Sequence, residues 1–339
     1  MSGEPSPAAP GVYASKRAAA WVTIADLVVF DVDGVLVDVS RSLPAVVAGA
    51  VEHYLAELGF SAENIALDES DIADFKAAAG FNSDWDLAYA AVLFYLAQAI
   101  RYGHRDVTGL KRATPTLRQL TVELTRTGGG PAGFADLVLE ALPPSDRRVV
   151  QAELQRERLE QWLMEIYAGD RTFEVYGYEP ERVRGPGLIT RERALLSPAD
   201  LLPGVNYGIY TGRTRGELRH SLGVLGLQGL FADEATVTTD DGMLKPDPRG
   251  LRTLCARFRP RAFLYVGDNV DDWVTWARYA SDRTESEPPG LFAGVLDGSP
   301  AAMGWSQLQD RGVELLVDSV ASLLGWMNGL RRETGKAAD

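Results

Sequence analysis

The chain has 339 residues, 46% of them hydrophobic and 24% charged, so it can bury a large core, and its length fits about two domains. Its formal net charge of −13 repels nucleic acid and acidic membrane surfaces, so we expect neither as a partner. The single cysteine, Cys255, excludes an intramolecular disulfide framework and predicts a core thiol in a reducing compartment. No apolar run approaches the roughly 20 residues of a membrane span, and no hydrophobic signal core opens the sequence, so we expect a cytoplasmic protein.

The first predicted strand ends in two carboxylates. It covers residues 26–30 and is followed by Asp31, Asp33 and Gly34. The preceding residues 1–20 are rich in small residues and proline and predict a flexible or loosely docked tail. A buried strand that ends in acids delivers them to the edge of an α/β sheet, where functional groups collect. One aspartate there can attack phosphorus while the other moves a proton. An isolated Asp-Gly pair is also typical of a turn.

An insertion of predicted helices follows over residues 40–195. Apolar residues recur at spacings of three and four over 42–58, which predicts an amphipathic helix. Ser83 and Asp86 can form a capping box for a second helix, which is apolar on most sides and runs through Ile100. Burial on most sides predicts that this second helix lies at the centre of an inserted helical domain.

Further strand-like runs separated by helical segments predict a doubly wound parallel α/β sheet. The core is then discontinuous in sequence and consists of residues 21–39 and 196–339. The remaining predicted strands lie near 207–211, 234–238, 262–267 and 291–296.

Three segments that follow the insertion carry chemically active residues. Thr211, Gly212 and Arg213 end the run that begins near Tyr207. Lys245 precedes a proline-rich turn, and the strand-like run over 262–267 ends in Asp268 and Asp272. A carboxylate pair, a hydroxyl, a cation and a second acidic cluster therefore occur in that order along the chain.

In these motifs the chain resembles the haloacid dehalogenase superfamily of hydrolases, and within it the phosphatase branch (subfamily IA) with a helical cap between the first and second motifs. The pattern Asp-x-Asp-Gly-(Val or Thr)-Leu is met by Asp31 to Leu36, and the other three motifs by Thr211, by Lys245, and by Asp268 with Asp272. The match covers the segments that flank the insertion, which looks larger than a usual cap. The resemblance implies a Rossmann-like core with an all-helical cap.

The resemblance also implies a magnesium-dependent phosphatase that acts on a small soluble phosphomonoester. Asp31 would attack phosphorus to give an aspartyl-phosphate, and Asp33 would protonate the leaving oxygen and then accept a proton from water. Thr211, Gly212 and Lys245 would bind the phosphoryl group. Mg²⁺ would be bound by Asp31, the backbone carbonyl of Asp33, Asp268 and Asp272.

Other functions are compatible with the same motifs. A phosphomutase of the β-phosphoglucomutase type would use the same intermediate, whereas a dehalogenase would not need Asp33, and a non-catalytic binding protein would not need intact motifs. The substrate and the oligomeric state are left open. Candidate substrate-binding residues are Arg213 and, within the insertion, Lys76, Asn82 and Trp85.

Overall fold

The chain forms two compact units. The computed structural model describes residues 4–61, 66–78, 81, 83–296 and 302–336. The core unit consists of residues 1–40 and 192–339, and the helical unit consists of residues 41–191. Along the described part of the chain, no helix combines the length and the apolar character that a membrane span requires.

The core unit is built on one twisted sheet. The described strands are β1 (Ser6–Ala9), β2 (Val12–Ala14), β3 (Leu27–Phe30), β4 (Val37–Asp38), β5 (Arg193–Ala194), β6 (Asn206–Tyr210), β7 (Thr236–Val237), β8 (Phe263–Gly267), β9 (Gly290–Val295) and β10 (Leu315–Val317). Eight of them pair in the order β1-β2-β10-β9-β8-β3-β6-β7, and β4 pairs separately with β5. All neighbours from β10 to β7 are parallel. This confirms the predicted doubly wound α/β core.

The four residues of β3 are Leu, Val, Val and Phe, and all are buried, as expected for a central strand that is covered on both faces. From β3 the chain continues to β6 and β7 on one side and returns to β8, β9 and β10 on the other. The winding therefore reverses between β3 and β8, and the crevice at the carboxyl ends of such strands is where open α/β sheets bind ligands. The helices of this unit are α1 (Lys16–Ile24), α11 (Arg215–Val224), α12 (Arg249–Phe258), α13 (Val270–Asp282), α14 (Trp305–Asp310) and α15 (Val320–Lys336).

The helical unit has its own hydrophobic core. Its helix α4 is buried along nearly its whole length, from Leu87 to Ala99, and packs against α2, α5, α7, α8 and α9. Ser83 caps this helix by accepting a hydrogen bond from the Asp86 amide at 3.3 Å. The predicted central helix is thus confirmed. The described helices of the unit are α2 (Leu43–Glu57), α3 (Glu69–Ala77), α4 (Asp84–Tyr102), α5 (Val107–Arg112), α6 (Leu117–Thr127), α7 (Gly130–Glu140), α8 (Pro144–Glu153), α9 (Arg156–Ala168) and α10 (Thr172–Tyr176).

The predicted flexible tail is wrong for the described residues up to position 20. The strands β1 and β2 form a hairpin whose second strand adds to β10 in antiparallel register, and α1 follows. Val12 and Ala18 are fully buried, and the Ser15 hydroxyl donates to the Glu314 carboxylate at 2.7 Å. Because the pairing partner lies at the other end of the chain, the local composition of this segment carried no sign of the pairing.

Candidate active site

The carboxyl ends of three neighbouring strands bring the predicted motifs together. Phe30, the last residue of β3, lies opposite Ile209 on one side and Val266 on the other. The next residue, Asp31, is buried and donates its amide hydrogen to the Val266 carbonyl at 2.9 Å. Thr211 and Asp268 directly follow β6 and β8, so parallel register places all three side chains at one edge of the sheet.

The cluster contains three buried carboxylates. Asp31, Asp268 and Asp272 each offer an oxygen atom, and these atoms all lie within 4.8 Å of one another. Asp272 reaches the cluster from the first turn of α13, which begins at Val270. The motif acids that sequence analysis selected are therefore neighbours in space.

Lys245 balances part of this negative charge. Its Nζ atom lies 2.6 Å from Asp31 Oδ1 and 2.6 Å from Asp272 Oδ1. The ammonium also lies 5.7 Å from the centre of the Tyr210 ring and 5.9 Å from that of Tyr265, within the range of a cation–π interaction. The two carboxylates and the two aromatic rings thus hold the positive charge of Lys245 in place at the carboxyl end of β3.

The close approach of these charged groups shifts the pKa values of both Asp31 and Lys245. Burial, and next the Asp272 carboxylate, raise the pKa of Asp31 well above its ordinary value, and Lys245 only partly opposes them. Burial alone lowers the pKa of Lys245, but Asp272 and Asp31 together raise it above its ordinary value. The lysine is therefore cationic, and its single positive charge does not offset the effects that raise the pKa of Asp31.

Asp272 accepts four hydrogen bonds. Its Oδ1 accepts from Lys245 and from the Tyr265 hydroxyl, each at 2.6 Å, and its Oδ2 accepts from the amides of Asp268 and Asn269 at 3.2 and 3.4 Å. A Cβ atom at Gly267 would lie 2.4 Å from the Cβ of Asp272, so only glycine fits before Asp268. Tyr265 was not predicted as a site residue, because a tyrosine inside an apolar strand is typical of a core residue.

The donor set fits a hard divalent cation. Carboxylate oxygens are the ligands that Mg²⁺ and Ca²⁺ prefer, and three buried acids against one lysine leave net negative charge for a cation to balance. Asp31 and Asp268 have the donor chemistry of direct ligands, whereas both oxygens of Asp272 already accept hydrogen bonds.

Thr211 and Gly212 lie beside this cluster on the loop after β6. Thr211 is buried, and its hydroxyl oxygen accepts the Arg213 amide hydrogen at 3.2 Å, which leaves the hydroxyl hydrogen to be donated elsewhere. A Cβ atom built on Gly212 would meet no atom within 4 Å. The backbone at Gly212 therefore borders open space.

Asp33 lies two residues beyond Asp31 and is paired with Arg213. The guanidinium donates to Asp33 Oδ1 through Nε at 2.8 Å and through Nη2 at 2.5 Å. It also contacts the buried carboxylate of Glu192 at 2.9 Å. Glu192 was not predicted as a site residue, because its place within a run of mixed charges, Arg191 to Arg193, is typical of a solvated surface.

The candidates in the helical unit have local partners. Lys76 forms an ion pair with Asp84 at 3.0 Å, and Trp85 packs against the hydrophobic core of that unit. Asn82 lies outside the described residues. A role of these residues toward substrate stays a prediction.

The core unit has a doubly wound sheet, with acids at the switch point where the winding reverses between β3 and β8, and a helical insertion follows β3. This is the haloacid dehalogenase-like fold, as the sequence motifs implied. The chain is similar to the phosphatase Tt82 from Thermococcus thioreducens, with a TM-score of 0.53 and 20% identity over 90% of this chain and 98% of that one. It is also similar to a Northeast Structural Genomics Consortium target, with a TM-score of 0.57 and 16% identity over 91% and 99% of the two chains.

A hydrolase of the haloacid dehalogenase family from Deinococcus radiodurans R1, with bound phosphate and sodium, matches with a TM-score of 0.44 and 18% identity over 93% of this chain and 97% of that chain. No protein-family model and no curated protein matches the sequence. The fold is supported by the two similarities with TM-scores of 0.53 and 0.57.

Proposed function

We propose that this protein is a magnesium-dependent phosphatase that hydrolyses a small phosphomonoester through an aspartyl-phosphate. The observation that carries the proposal is the ammonium of Lys245, 2.6 Å from both Asp31 and Asp272 at the switch point of the sheet. A carboxylate can attack an anionic phosphate only where fixed positive charge offsets the repulsion. The phosphatase activity in the name of the Thermococcus neighbour agrees with this proposal.

In the first step, the Asp31 carboxylate attacks phosphorus, the bond from phosphorus to the ester oxygen breaks, and that oxygen takes a proton from Asp33. In the second step, water attacks the phosphorus of the aspartyl-phosphate and gives its proton to Asp33. The bond from phosphorus to the Asp31 oxygen breaks, which releases inorganic phosphate and restores both acids. Thr211 donates its hydroxyl hydrogen, and Gly212 its amide hydrogen, to the phosphoryl oxygens.

Asp31 and Asp268, with the backbone carbonyl of Asp33, would hold Mg²⁺, and Asp272 would support the site by holding Lys245. When bound, the cation neutralises charge on the phosphoryl oxygens. Lys245 provides the same kind of stabilisation from the protein itself, because two carboxylates fix the position of its ammonium.

The proposal is tested with Asp31→Asn, which keeps the shape of the side chain but removes the nucleophile. We expect the wild type with Mg²⁺ to hydrolyse 4-nitrophenyl phosphate and to form a phosphoenzyme that mass spectrometry detects on Asp31, and the variant to do neither. Asp26→Asn is a matched control, because Asp26 precedes the same strand at its other end and pairs with Arg261 at 3.0 Å. Its activity should be unchanged.

A metal-loaded wild type without turnover on a broad panel of phosphomonoesters would refute the proposal, as would an Asp31→Asn variant that keeps its activity. Phosphorylated sugar products, formed from a sugar phosphate in place of inorganic phosphate, would indicate a phosphomutase.

A further inference from the structure

Arg213 connects three segments of the core unit. It lies on the loop between β6 and α11, and its guanidinium contacts Asp33 from the segment after β3 and Glu192 from the segment before β5. The Arg213 and Glu192 side chains are only 5% and 1% exposed, whereas the Asp33 side chain is 30% exposed. The ion pair of Arg213 with Glu192 is thus buried, whereas Asp33 is accessible to solvent. Asp33 is also the acid that transfers protons in the proposed function.

The two carboxylate oxygens of Asp33 differ in their hydrogen bonds. Both hydrogen bonds from Arg213, through Nε and Nη2, are accepted by Oδ1. Within the described part of the chain, no hydrogen bond is donated to Oδ2. Two donors in the rigid plane of one guanidinium fix the direction of the carboxylate, so Oδ2 is the oxygen that is left to exchange a proton.

Glu192 fixes Arg213 from the opposite side. Nη2 donates to Glu192 Oε1 at 2.9 Å and Nη1 to Oε2 at 3.2 Å, a bidentate arrangement. The Ser221 hydroxyl accepts from Nη1 and donates to Glu192 Oε2 at 3.1 Å. Glu192 also balances the charge of Arg213, so Asp33 is held in place by a guanidinium that has a second carboxylate as its counter-ion.

We propose that Arg213 is a positioning residue for proton transfer: it holds Asp33 through Oδ1 and aims Oδ2 at the oxygen that leaves or enters at phosphorus. This inference rests on the proposed function. It replaces the sequence-based expectation that Arg213 binds substrate, because the guanidinium is buried between protein carboxylates.

The role has a signature that depends on the leaving group. A 4-nitrophenolate ion leaves without a proton, whereas the phenolate of phenyl phosphate is far more basic and needs one. Loss of a well-placed general acid removes a factor of about 10² to 10⁴ from the step that needs it. Damage to phosphate binding or to folding would lower the rates on both esters alike.

The test compares kcat/KM for phenyl phosphate and 4-nitrophenyl phosphate in the full-length, Mg²⁺-loaded protein. In Arg213→Gln we expect kcat/KM for phenyl phosphate to fall by about 100-fold or more, and that for 4-nitrophenyl phosphate by less than about tenfold. Because water must still lose a proton to Asp33 in the second step, 4-nitrophenyl phosphate should also give a burst of about one equivalent of nitrophenolate. Arg213→Lys should recover only part of the phenyl phosphate rate, since lysine offers no planar pair of donors.

Arg213→Gln leaves Glu192 as a buried charge and can fail to fold. The double variant Arg213→Gln with Glu192→Gln removes both charges, and the ratio of the two kcat/KM values does not depend on the folded fraction. Arg215→Gln is the matched control. Arg215 is the first residue of α11, and its Nη2 donates to both carboxylate oxygens of Asp241 at 3.0 Å, but it does not contact Asp33. Its ratio should equal that of the wild type.

Equal losses on the two esters in the Arg213 variants would overturn the positioning role and leave the phosphatase proposal standing. A wild type that hydrolyses neither ester and forms no phosphoenzyme would refute the proposed function and this inference with it.

Discussion

Replacing Tyr265 by phenylalanine removes one hydroxyl group from the centre of the site and keeps the ring that lies beside Lys245. The hydroxyl donates to Asp272 Oδ1 at 2.6 Å, and Tyr265 is fully buried. A hydrogen bond to a charged group contributes about 1.5–3 kcal/mol. Water cannot reach the vacated position, and the other three donors to Asp272 remain, so we expect the free energy of unfolding of the core unit to fall by this amount.

The assay uses Cys255, the single cysteine of the chain. The thiol is buried in α12 of the core unit, and this burial raises its pKa to about 12. Alkylation at pH 8 therefore requires unfolding of this unit. A loss of 1.5–3 kcal/mol increases the labelling rate by about 12- to 140-fold, since each 1.4 kcal/mol is a factor of ten. Measurements in moderate urea ensure that labelling reports global opening.

Tyr210→Phe is the matched control. The Tyr210 ring also lies beside Lys245, but its hydroxyl donates to the neutral Asp247 carbonyl at 2.7 Å. A neutral hydrogen bond contributes about 0.5–1.5 kcal/mol, which corresponds to about a 2- to 12-fold increase in labelling. Equal increases in the two variants would refute the argument that the charge of Asp272 makes the Tyr265 bond the stronger one.

Two further predictions concern the phosphate loop and the cation. Gly212→Ala should leave the stability unchanged, because the added methyl group meets no atom within 4 Å. It should lower kcat/KM on 4-nitrophenyl phosphate at least tenfold, because the methyl group occupies the space proposed for phosphate. A variant with wild-type activity would disprove that placement of phosphate. EDTA should abolish the activity, and metal-free protein should lose stability as the pH rises. The pKa of Asp31 is raised above 3.8, so its contribution is complete below about pH 4 and is lost as the pH passes through the raised value. Melting curves at pH 5 and 8, with and without Mg²⁺, check this, and a metal-free protein that melts higher at pH 8 would contradict it.

The parts of the fold that the sequence predicted are those set by local patterns. The strand predicted over 26–30 is Leu27–Phe30, and that over 262–267 is Phe263–Gly267, because long apolar runs bounded by polar residues are typical of central parallel strands. The motif residues that follow these strands were predicted to lie close together. The prediction is possible because residues that directly follow neighbouring parallel strands lie at the same edge of the sheet. The hairpin of β1 and β2 was not predicted, because its register depends on β10 at the far end of the chain.

Glu192 and Tyr265 were not predicted as site residues, because their contacts also depend on residues that are distant along the chain or lack a sequence pattern. Glu192 acquires its role from Arg213, and Tyr265 from Asp272, in each case through one side-chain contact that no periodicity encodes. A buried tyrosine and a glutamate among arginines have ordinary structural explanations when each is considered alone. Sequence patterns thus predict candidate residues for the proposed reaction, whereas the residues that contact those candidates become visible only in three dimensions.

The two acids of the fourth motif should therefore respond differently to mutation, although the sequence motif treats them as a pair. Asp268→Asn removes negative charge from a crowded cluster, so we expect unchanged or higher stability without metal and a loss of the stabilisation that Mg²⁺ gives. Asp272→Asn replaces an acceptor of four hydrogen bonds and leaves Lys245 with one carboxylate. Breaking a buried ion pair in this way costs about 3–5 kcal/mol. Mg²⁺ titrations of the melting temperature separate the two effects, and similar loss of Mg²⁺ response with equal metal-free stability in both variants would show that Asp272 acts as a second direct ligand.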